Sequence, residues 1–453
     1  MAPVRRELAA LFRLSWPLVL SQVGMMLFGL VDIWMVGRLG ARELAAVALA
    51  DIVMFGSLIT GIGLVMGIDP VVTQAHGAGA GVAAGRALQR GIVIACAVAV
   101  PVTLVWLYAG DILVLLHEPA DLAHLAQVYA DAQVWSIAPF LVFTALRQYL
   151  QGREIVFPPL WIILGANVAN AILNYGLVFG RFGLPEWGVR GAGVATGATR
   201  TLMMVALFAY IFLRGLHRGA WTPWSRAVFK WDRFKQLLGY GWPVALHLGL
   251  EVGAFGASGL MAGWLGATAT AAHVVVLRLA SFAFMLPLGI SMAAATRVGN
   301  LLGARDRPGA QRAAWVALSV GAGAMCVSAA CFLLFPEVLV RFFNDEAAVV
   351  ANALLIFPIA AAFQVFDGTQ VVGGSILRGM GTPRPAALIN LLGYYGLAIP
   401  LGYWLAFKAG LDLAGVWWGL ALGLMAVALA MVGWIAVRGP ARVKELAIAE
   451  PEA

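Results

Sequence analysis

Residues 35–41 read MVGRLGA, and residues 261–267 repeat them as MAGWLGA, at a shift of 226 in the numbering. A second match at the same shift pairs SWP at residues 15–17 with GWP at residues 241–243. Matches of Ala and Gly are common in a chain with 53 glycines, but matches that include Trp-Pro or Gly-x-Leu-Gly are not. The sequence therefore predicts two related halves.

The composition indicates that lipid is the solvent for much of the protein. Of its 453 residues, 62% are hydrophobic and 11% are charged, whereas a soluble domain has roughly 25% charged residues. A membrane-spanning helix needs about 20 apolar residues. We therefore predict an all-α integral membrane protein with twelve transmembrane helices, near residues 11–36, 44–73, 91–116, 125–150, 157–180, 189–213, 237–264, 269–296, 313–336, 350–377, 385–407 and 412–437.

The basic residues predict the orientation of these helices. With a cytoplasmic N-terminus, the segments inside hold 22 of the 30 Lys and Arg residues and the segments outside hold 6. Cytoplasmic loops carry such an excess. We therefore expect both termini in the cytoplasm. The net charge of +8 then reflects topology and contact with anionic membrane lipid. Nucleic-acid binding is not expected, because the charge is spread over many short segments.

The two halves predict the domain organisation. Residues 1–213 are expected to form an N-terminal six-helix lobe, residues 214–236 a cytoplasmic linker, and residues 237–453 a C-terminal six-helix lobe with a short cytoplasmic tail. Because six is an even number of helices, the halves keep the same orientation and are related by an axis along the membrane normal. A cleft between two such lobes suits alternating access. We expect a monomer.

Acidic residues inside the predicted helices are the candidates for function. A carboxylate at the bilayer centre costs roughly 2.5–3.5 kcal/mol, so its presence needs a reason. Asp32, Glu251 and Asp367 lie within helices 1, 7 and 10. Asp51 and Asp69 lie near opposite ends of helix 2, where they can reach water, and are weaker candidates.

Glu251 and Asp367 lie at similar predicted depth in the same half. Two neighbouring carboxylates cannot both ionise cheaply without a cation, so they could hold one Na⁺, or one of them could carry a proton. His247 lies four residues before Glu251 on the same helix face and could modulate this site. The alternative is that Asp32, Glu251 and Asp367 form structural ion pairs with Arg200 or Arg278. His247 would then only pack against its neighbours.

A second polar cluster is expected around Asp32. Asn170 and Asn174 are spaced four residues apart and share a face of helix 5, and Thr196 on helix 6 could join them. Amide oxygens on one face can coordinate a hard cation or hydrogen-bond a carboxyl group. The alternative is hydrogen bonding between helices with no bound ion.

Enzyme chemistry is not predicted. The sequence has no Walker A motif that would bind ATP phosphates and no His-Glu-x-x-His zinc motif. Three cysteines in 453 residues exclude a disulfide-rich scaffold.

At these residues the sequence resembles the multidrug and toxic compound extrusion (MATE) family, in its NorM-like bacterial branch. The resemblance covers about residues 11–437. Its motifs are VDIWMVGRLG at residues 31–40, PVVTQAHGAG at residues 70–79, FQVFDGTQVV at residues 363–372 and PLGY at residues 400–403.

The resemblance implies a V-shaped antiporter of two six-helix lobes that exports cationic amphipathic drugs or dyes in exchange for Na⁺ or H⁺, with no other cofactor. The essential acids of the family on helices 1, 7 and 10 fall on Asp32, Glu251 and Asp367. The family's N-lobe cation cluster carries over to Asp32, Asn170, Asn174 and Thr196, and its C-lobe coupling site to Glu251 and Asp367.

Three residues depart from the family pattern. Arg278 stands where Gln or Asn is usual, and its charge could compete with a cation near Glu251. Asp69 and His247 are also unusual. The composition, rich in Ala, Gly and Arg, is typical of GC-rich bacteria and favours the inner membrane.

Two other functions stay open at this point. A lipid-linked precursor flippase of related architecture would favour a strongly basic cavity, for which only Arg200 and Arg278 lie within helices. A non-transport membrane protein would need a catalytic constellation, and the sequence contains no recognisable one.

Overall fold

The computed structural model describes residues 2–446, and its regular secondary structure in that range is helical throughout. The seventeen α-helices are α1 (Ala2–Val36), α2 (Ala41–Val65), α3 (Asp69–Gly77), α4 (Gly81–Leu107), α5 (Ala109–Leu115), α6 (Ala120–Gln133), α7 (Ile137–Gly152), α8 (Phe157–Phe179), α9 (Gly188–Leu213), α10 (Trp231–Trp264), α11 (Ala267–Gly303), α12 (Arg307–Leu334), α13 (Pro336–Arg341), α14 (Ala347–Gly379), α15 (Arg384–Asn390), α16 (Ile399–Phe407) and α17 (Asp412–Arg438). Helices predominate because lipid cannot satisfy backbone hydrogen bonds, and a helix satisfies its own. The last residues of the predicted tail, 447–453, lie outside the described range.

The predicted all-α, multi-pass fold class is confirmed. Within residues 2–446, eleven helical segments are long and apolar enough to cross a membrane. The remaining predicted segment, near residues 125–150, is divided into α6 and α7 by a 3₁₀ turn at Val134–Ser136. Each of these two helices is too short to count as a span by itself, since they have 14 and 16 residues.

The repeated motif MxGxLGA forms the end of the first helix of each half and the turn that follows it. In the second copy, α10 ends at Trp264 and α11 begins after Gly266. Gly266 has a φ of 107°, in the region that favours glycine because it lacks a Cβ. The motif therefore sets where one long apolar helix ends and the next begins.

The described chain forms two compact units whose borders differ from the predicted domains. Within the described range, one unit contains residues 20–245, and the other contains residues 2–19 and 246–446. Each border cuts through the first helix of a half, α1 or α10, shortly after a proline inside that helix, Pro17 or Pro243. The domain borders 1–213, 214–236 and 237–453 stay a prediction, because each of these helices contributes to both units.

The unit of residues 20–245 has its core between α2, α4, α6, α7 and α9. Trp106, Phe143 and Tyr149 are among its largest fully buried side chains. α8 packs along α9, which brings two predicted site helices side by side.

The unit that contains residues 246–446 is built around α14, which packs against α11, α12 and α17. α15 and α16 are joined by a π-helical stretch, Leu391–Ala398. Single-turn π-helical irregularities often occur at functional sites. At its edge, Arg307 forms two hydrogen bonds with Glu445, at 2.9 and 3.0 Å. These bonds hold the pKa of the Glu445 carboxyl below its ordinary value.

Candidate functional site

Asp32 on α1 is 4% exposed and accepts three side-chain hydrogen bonds. Thr196 on α9 donates to Oδ2 at 2.5 Å, and Asn174 on α8 donates to Oδ1 at 2.7 Å. Tyr129 on α6 donates its hydroxyl to Oδ2 at 3.3 Å. Four helices therefore converge on one buried carboxylate.

Asn170 and Asn174 lie one turn apart on α8 and are both fully buried. Asn170 donates to Thr196 Oγ1 at 3.3 Å and accepts from Asn174 at 3.1 Å. The structure thus brings together the four predicted residues of the first cluster. The Asn174 Oδ1 atom is buried and has no hydrogen-bond partner within residues 2–446. Amide and carboxylate oxygens in this arrangement are the donor set that hard cations such as Na⁺ prefer.

Tyr129 belongs to this cluster and was not predicted. It is 2% exposed, and its hydroxyl reaches Asp32 from α6, a helix that the sequence does not connect with Asp32. A tyrosine in a membrane helix is common, so the sequence carries no signal that separates this one from others.

Arg200 on α9 lies beside the Asp32 cluster without pairing directly with an acid. Its Nη1 donates to Gln133 at 3.0 Å. Its guanidinium lies over the rings of Trp106 and Phe140, at 5.7 and 5.2 Å from their centroids. It interacts electrostatically with Asp32 and with Asp51 on α2. The predicted neutralisation by Arg200 is therefore a longer-range effect.

The second cluster lies in the other compact unit. Glu251 on α10 and Asp367 on α14 are 8% and 4% exposed, and their carboxyl groups interact electrostatically. Asp367 Oδ1 is buried and has no hydrogen-bond partner within the described range 2–446. The prediction that these two acids are neighbours agrees with this arrangement, while their role stays a proposal.

His247 lies at the centre of a polar network beside Glu251. Its Nε2 lies 3.6 Å from Glu251 Oε2 and 3.1 Å from Gln370 Nε2. Its Nδ1 lies 3.3 Å from Asn390 Nδ2. Gln370 also donates to Asn390 Oδ1 at 3.0 Å. The imidazole is thereby held from α14 and α15 while it faces a carboxylate on its own helix.

Tyr394 completes the surroundings of the two acids and was also not predicted. It is fully buried, interacts electrostatically with Glu251 and Asp367, and packs against Phe255 at 6.3 Å between ring centroids. It lies in the π-helical stretch Leu391–Ala398, which the sequence pattern does not reveal.

The remaining predicted residues are Arg278, Asp51 and Asp69. Arg278 is exposed, and within residues 2–446 no hydrogen bond or ion pair joins it to another side chain. Asp51 is half-buried and interacts electrostatically with Asp32 and with Arg200, so it lies near the first cluster. Asp69 is the first residue of α3, directly after the 3₁₀ turn Met66–Ile68, and it is 0% exposed. The expectation that it can reach water is therefore wrong. Among the described residues, no group of three or more His, Cys, Asp or Glu side chains could hold a metal ion.

The two halves differ in chemistry at equivalent positions. At the shift of 226, Glu251 corresponds to Met25, and Asp32 corresponds to Ser258. Ser258 lies 3.5 Å from His273 Nε2 rather than in a carboxylate cluster. The shared fold therefore holds a different set of polar groups in each half.

The fold and these sites define a class of protein. It is a helical, multi-pass membrane protein with two related halves and a buried carboxylate cluster in each compact unit. The MatE family model matches residues 17–176 and again residues 243–404, so its two matches begin at the same shift as the repeated motifs. The chain belongs to the MatE family, which confirms the resemblance stated from its motifs.

Curated relatives cover nearly the whole chain. The multidrug resistance protein NorM of Burkholderia vietnamiensis is 38% identical over 427 residues, which is 92% of this chain and 91% of that protein. The probable multidrug resistance protein NorM of Mesorhizobium japonicum is 34% identical over 439 residues, 95% of this chain and 94% of that protein.

Solved structures share the fold. The eukaryotic MATE transporter AtDTX14 superposes with a TM-score of 0.88 at 24% identity, covering 97% of this chain and 98% of that one. The Vibrio cholerae MATE transporter VcmN in its bent form gives a TM-score of 0.85 at 20% identity, covering 98% of each chain. Both likenesses support the fold alone.

Proposed function

We propose that the protein is a secondary active multidrug efflux antiporter that exports cationic amphipathic compounds in exchange for Na⁺ or H⁺. Its place would be the bacterial inner membrane, as a monomer with both termini in the cytoplasm. The names of the NorM relatives support drug efflux. The buried acids support coupling to a cation.

The observation that carries the proposal is the pair of Glu251 and Asp367. Two buried carboxylates that interact electrostatically are expensive to ionise together, and a bound cation or proton relieves that cost. A cationic substrate and a coupling cation then compete for the same negative charge. Such competition is what an exchanger requires, because each ligand favours release of the other.

The Asp32 cluster supports a second binding event. Asp32 accepts hydrogen bonds from Thr196, Asn174 and Tyr129, which stabilise its carboxylate against the cost of burying the charge. A proton or a Na⁺ ion bound to this carboxylate would compete with the three donors for its oxygen atoms. The cluster could therefore report ion occupancy to helices α1, α6, α8 and α9.

A lipid-linked precursor flippase is less well supported. A polyanionic headgroup calls for several basic side chains inside the helical region. Among the arginines within the helices, Arg200 lies over the rings of Trp106 and Phe140. Arg147 on α7 donates to Gln22 at 3.1 Å, and Arg278 is exposed.

The decisive experiment measures efflux of the cationic dye ethidium from proteoliposomes that contain the purified protein. A Na⁺ gradient and a pH gradient are imposed separately. We expect one of them to drive dye movement in the wild type. Glu251→Gln and Asp367→Asn should each lower the driven rate at least about tenfold, the effect of roughly 1.4 kcal/mol.

Glu346→Gln and Asp345→Asn are matched controls, because both acids are exposed in a loop and removing them changes charge by the same amount. The controls should transport like the wild type. If neither gradient moves the dye in the wild type, antiport is wrong. If Glu251→Gln and Asp367→Asn both transport normally, the coupling site is wrongly assigned.

A further inference from the structure

The segment between α9 and α10, residues 214–230, is held in place by helix α4. Gln89 is fully buried and donates to the Thr222 carbonyl at 2.7 Å. Arg90 is 4% exposed and donates to the carbonyls of Val228 and Ala227, each at 2.9 Å. The linker is therefore a fixed surface on its unit rather than a loose tether.

A ladder of aromatic rings runs from the apolar helix α9 onto this linker. Successive ring centroids are 4.7 Å apart for Phe208 and Phe212, 5.8 Å for Phe212 and Trp221, 6.1 Å for Trp221 and Trp224, and 6.0 Å for Trp224 and Phe229. Trp224 is 47% exposed and Phe229 is 56% exposed. Exposed aromatic rings at the end of a membrane span are typical of the interface between lipid and water.

Basic side chains surround the exposed end of the ladder. Residues 214–235 contain six Lys and Arg residues and one acid, Asp232. Arg218, Arg226 and Lys230 are exposed, and within residues 2–446 no ion pair involves any of them. The linker thus presents unpaired positive charge next to exposed aromatic rings, at the end of the membrane spans α9 and α10.

We propose that this linker surface binds the headgroups of anionic phospholipids. Arg218, Arg226 and Lys230 contact the phosphates, and Trp224 and Phe229 insert at the headgroup level. A basic residue near an anionic membrane surface contributes about fivefold in affinity, so three of them give a strong preference for anionic over zwitterionic lipid. Lipid is favoured over a soluble anion because the ladder continues into α9, where Phe208 is 41% exposed on a membrane span.

The proposal is independent of what the protein transports, and it is tested on the full chain reconstituted in vesicles. The probe is phosphatidylglycerol that carries a photo-reactive group near the headgroup, followed by mass mapping of cross-linked peptides. We expect cross-links within residues 214–231, competed by added phosphatidylglycerol and not by phosphatidylcholine. The triple variant Arg218→Gln, Arg226→Gln, Lys230→Gln should lose at least about tenfold in cross-link yield.

A triple variant of equal charge, Arg181→Gln, Arg190→Gln, Lys408→Gln, should keep the wild-type yield in the linker, because these exposed residues lie outside it. If the linker variant does not fold, the wild-type protein still tests the proposal. Raising the salt from about 0.05 to about 0.5 M should lower its cross-link yield in the linker, because salt screens the charges. Cross-links that lie elsewhere, resist salt, or are competed equally by phosphatidylcholine would overturn the proposal.

Discussion

Gly63 and Gly289 occupy equivalent positions of the two halves, at the shift of 226, and each packs directly against the main chain of another helix. A Cβ atom on Gly63 would overlap the backbone of Ala245. A Cβ atom on Gly289 would lie 2.5 Å from the Val19 nitrogen. Ala245 and Val19 are themselves equivalent at the same shift, so the same close crossing of helices occurs once in each compact unit.

These crossings predict that the two glycines cannot be replaced without loss of stability. Gly63→Ala and Gly289→Ala should each lower the melting temperature of the purified protein, because main-chain atoms cannot move aside as a flexible side chain can. The expected cost is about 1–3 kcal/mol per site, the usual effect of overpacking.

Gly56→Ala and Gly323→Ala are the matched controls, because a Cβ atom at either position meets no atom within 4 Å. Alanine favours a helix over glycine by up to about 1 kcal/mol, so these variants should melt at or above the wild-type temperature. Equal destabilisation of all four variants would show that the crossings are not tighter than other helical positions.

The sequence predicts the repeat that underlies these crossings but not the crossings themselves. The shift of 226 is readable from MVGRLGA and MAGWLGA, and the apolar segments predict the helices. That residues 2–19 belong to the unit of the second half depends on contacts between distant segments. Small residues such as Gly63 are so common in membrane helices that they do not identify their partners.

Thr196→Val should weaken the Asp32 cluster. The variant keeps the volume of the side chain but removes the hydroxyl that donates to Asp32 and accepts from Asn170. Loss of a hydrogen bond to a charged group costs about 1.5–3 kcal/mol, so we expect at least a tenfold change in the ion concentration that gives half-maximal transport. The measurement is the dye-efflux rate as a function of Na⁺ concentration or pH.

Thr199→Val provides the control on the same helix. Thr199 is also fully buried, but its hydroxyl donates to the carbonyl of Ala195 within α9. Thr199→Val should leave the ion dependence of transport unchanged. Thr196→Ser keeps the hydroxyl, so its ion dependence should be close to that of the wild type. A normal ion dependence in Thr196→Val would contradict the assigned contact.

Asn390→Ala should disturb the network that holds His247. The variant removes the contacts of Asn390 with His247 and with Gln370. Gln370 contacts the imidazole of His247, and that imidazole lies beside Glu251. We expect a lower maximal transport rate with normal thermal stability. His247→Ala should have a similar effect, and the double variant should be little worse than either, because neighbouring residues in one network are not additive.

Asn352→Ala is the control for this network, since Asn352 is half-buried and its side chain donates to the Ala348 carbonyl one turn before it. It should transport normally. Strictly additive losses in Asn390→Ala and His247→Ala would indicate that the two residues act separately.

The candidate sites were predictable to the extent that charge is conspicuous in an apolar chain. Asp32, Glu251 and Asp367 stand out because a carboxylate inside a membrane helix is costly. Asn170 and Asn174 stand out by their spacing. Tyr129, Gln370, Asn390 and Tyr394 do not, because such side chains occur throughout the helices and only the fold brings these near the acids.

The two arginines within the predicted helices should behave differently when they are neutralised. Arg200 interacts electrostatically with Asp32 and Asp51, so Arg200→Gln should make the surroundings of Asp32 more negative and increase the affinity of that cluster for a cation. Two unit charges about 10 Å apart at an effective dielectric constant of about 20 interact by roughly 1.7 kcal/mol, so we expect about a tenfold change or more. Arg278→Gln should change the same affinity less than Arg200→Gln does, because the arginine charge that acts on Asp32 is that of Arg200. Ion titrations of dye efflux distinguish the two variants: a large effect of Arg278→Gln with none of Arg200→Gln would reverse the assignment and return Arg278 to the site beside Glu251.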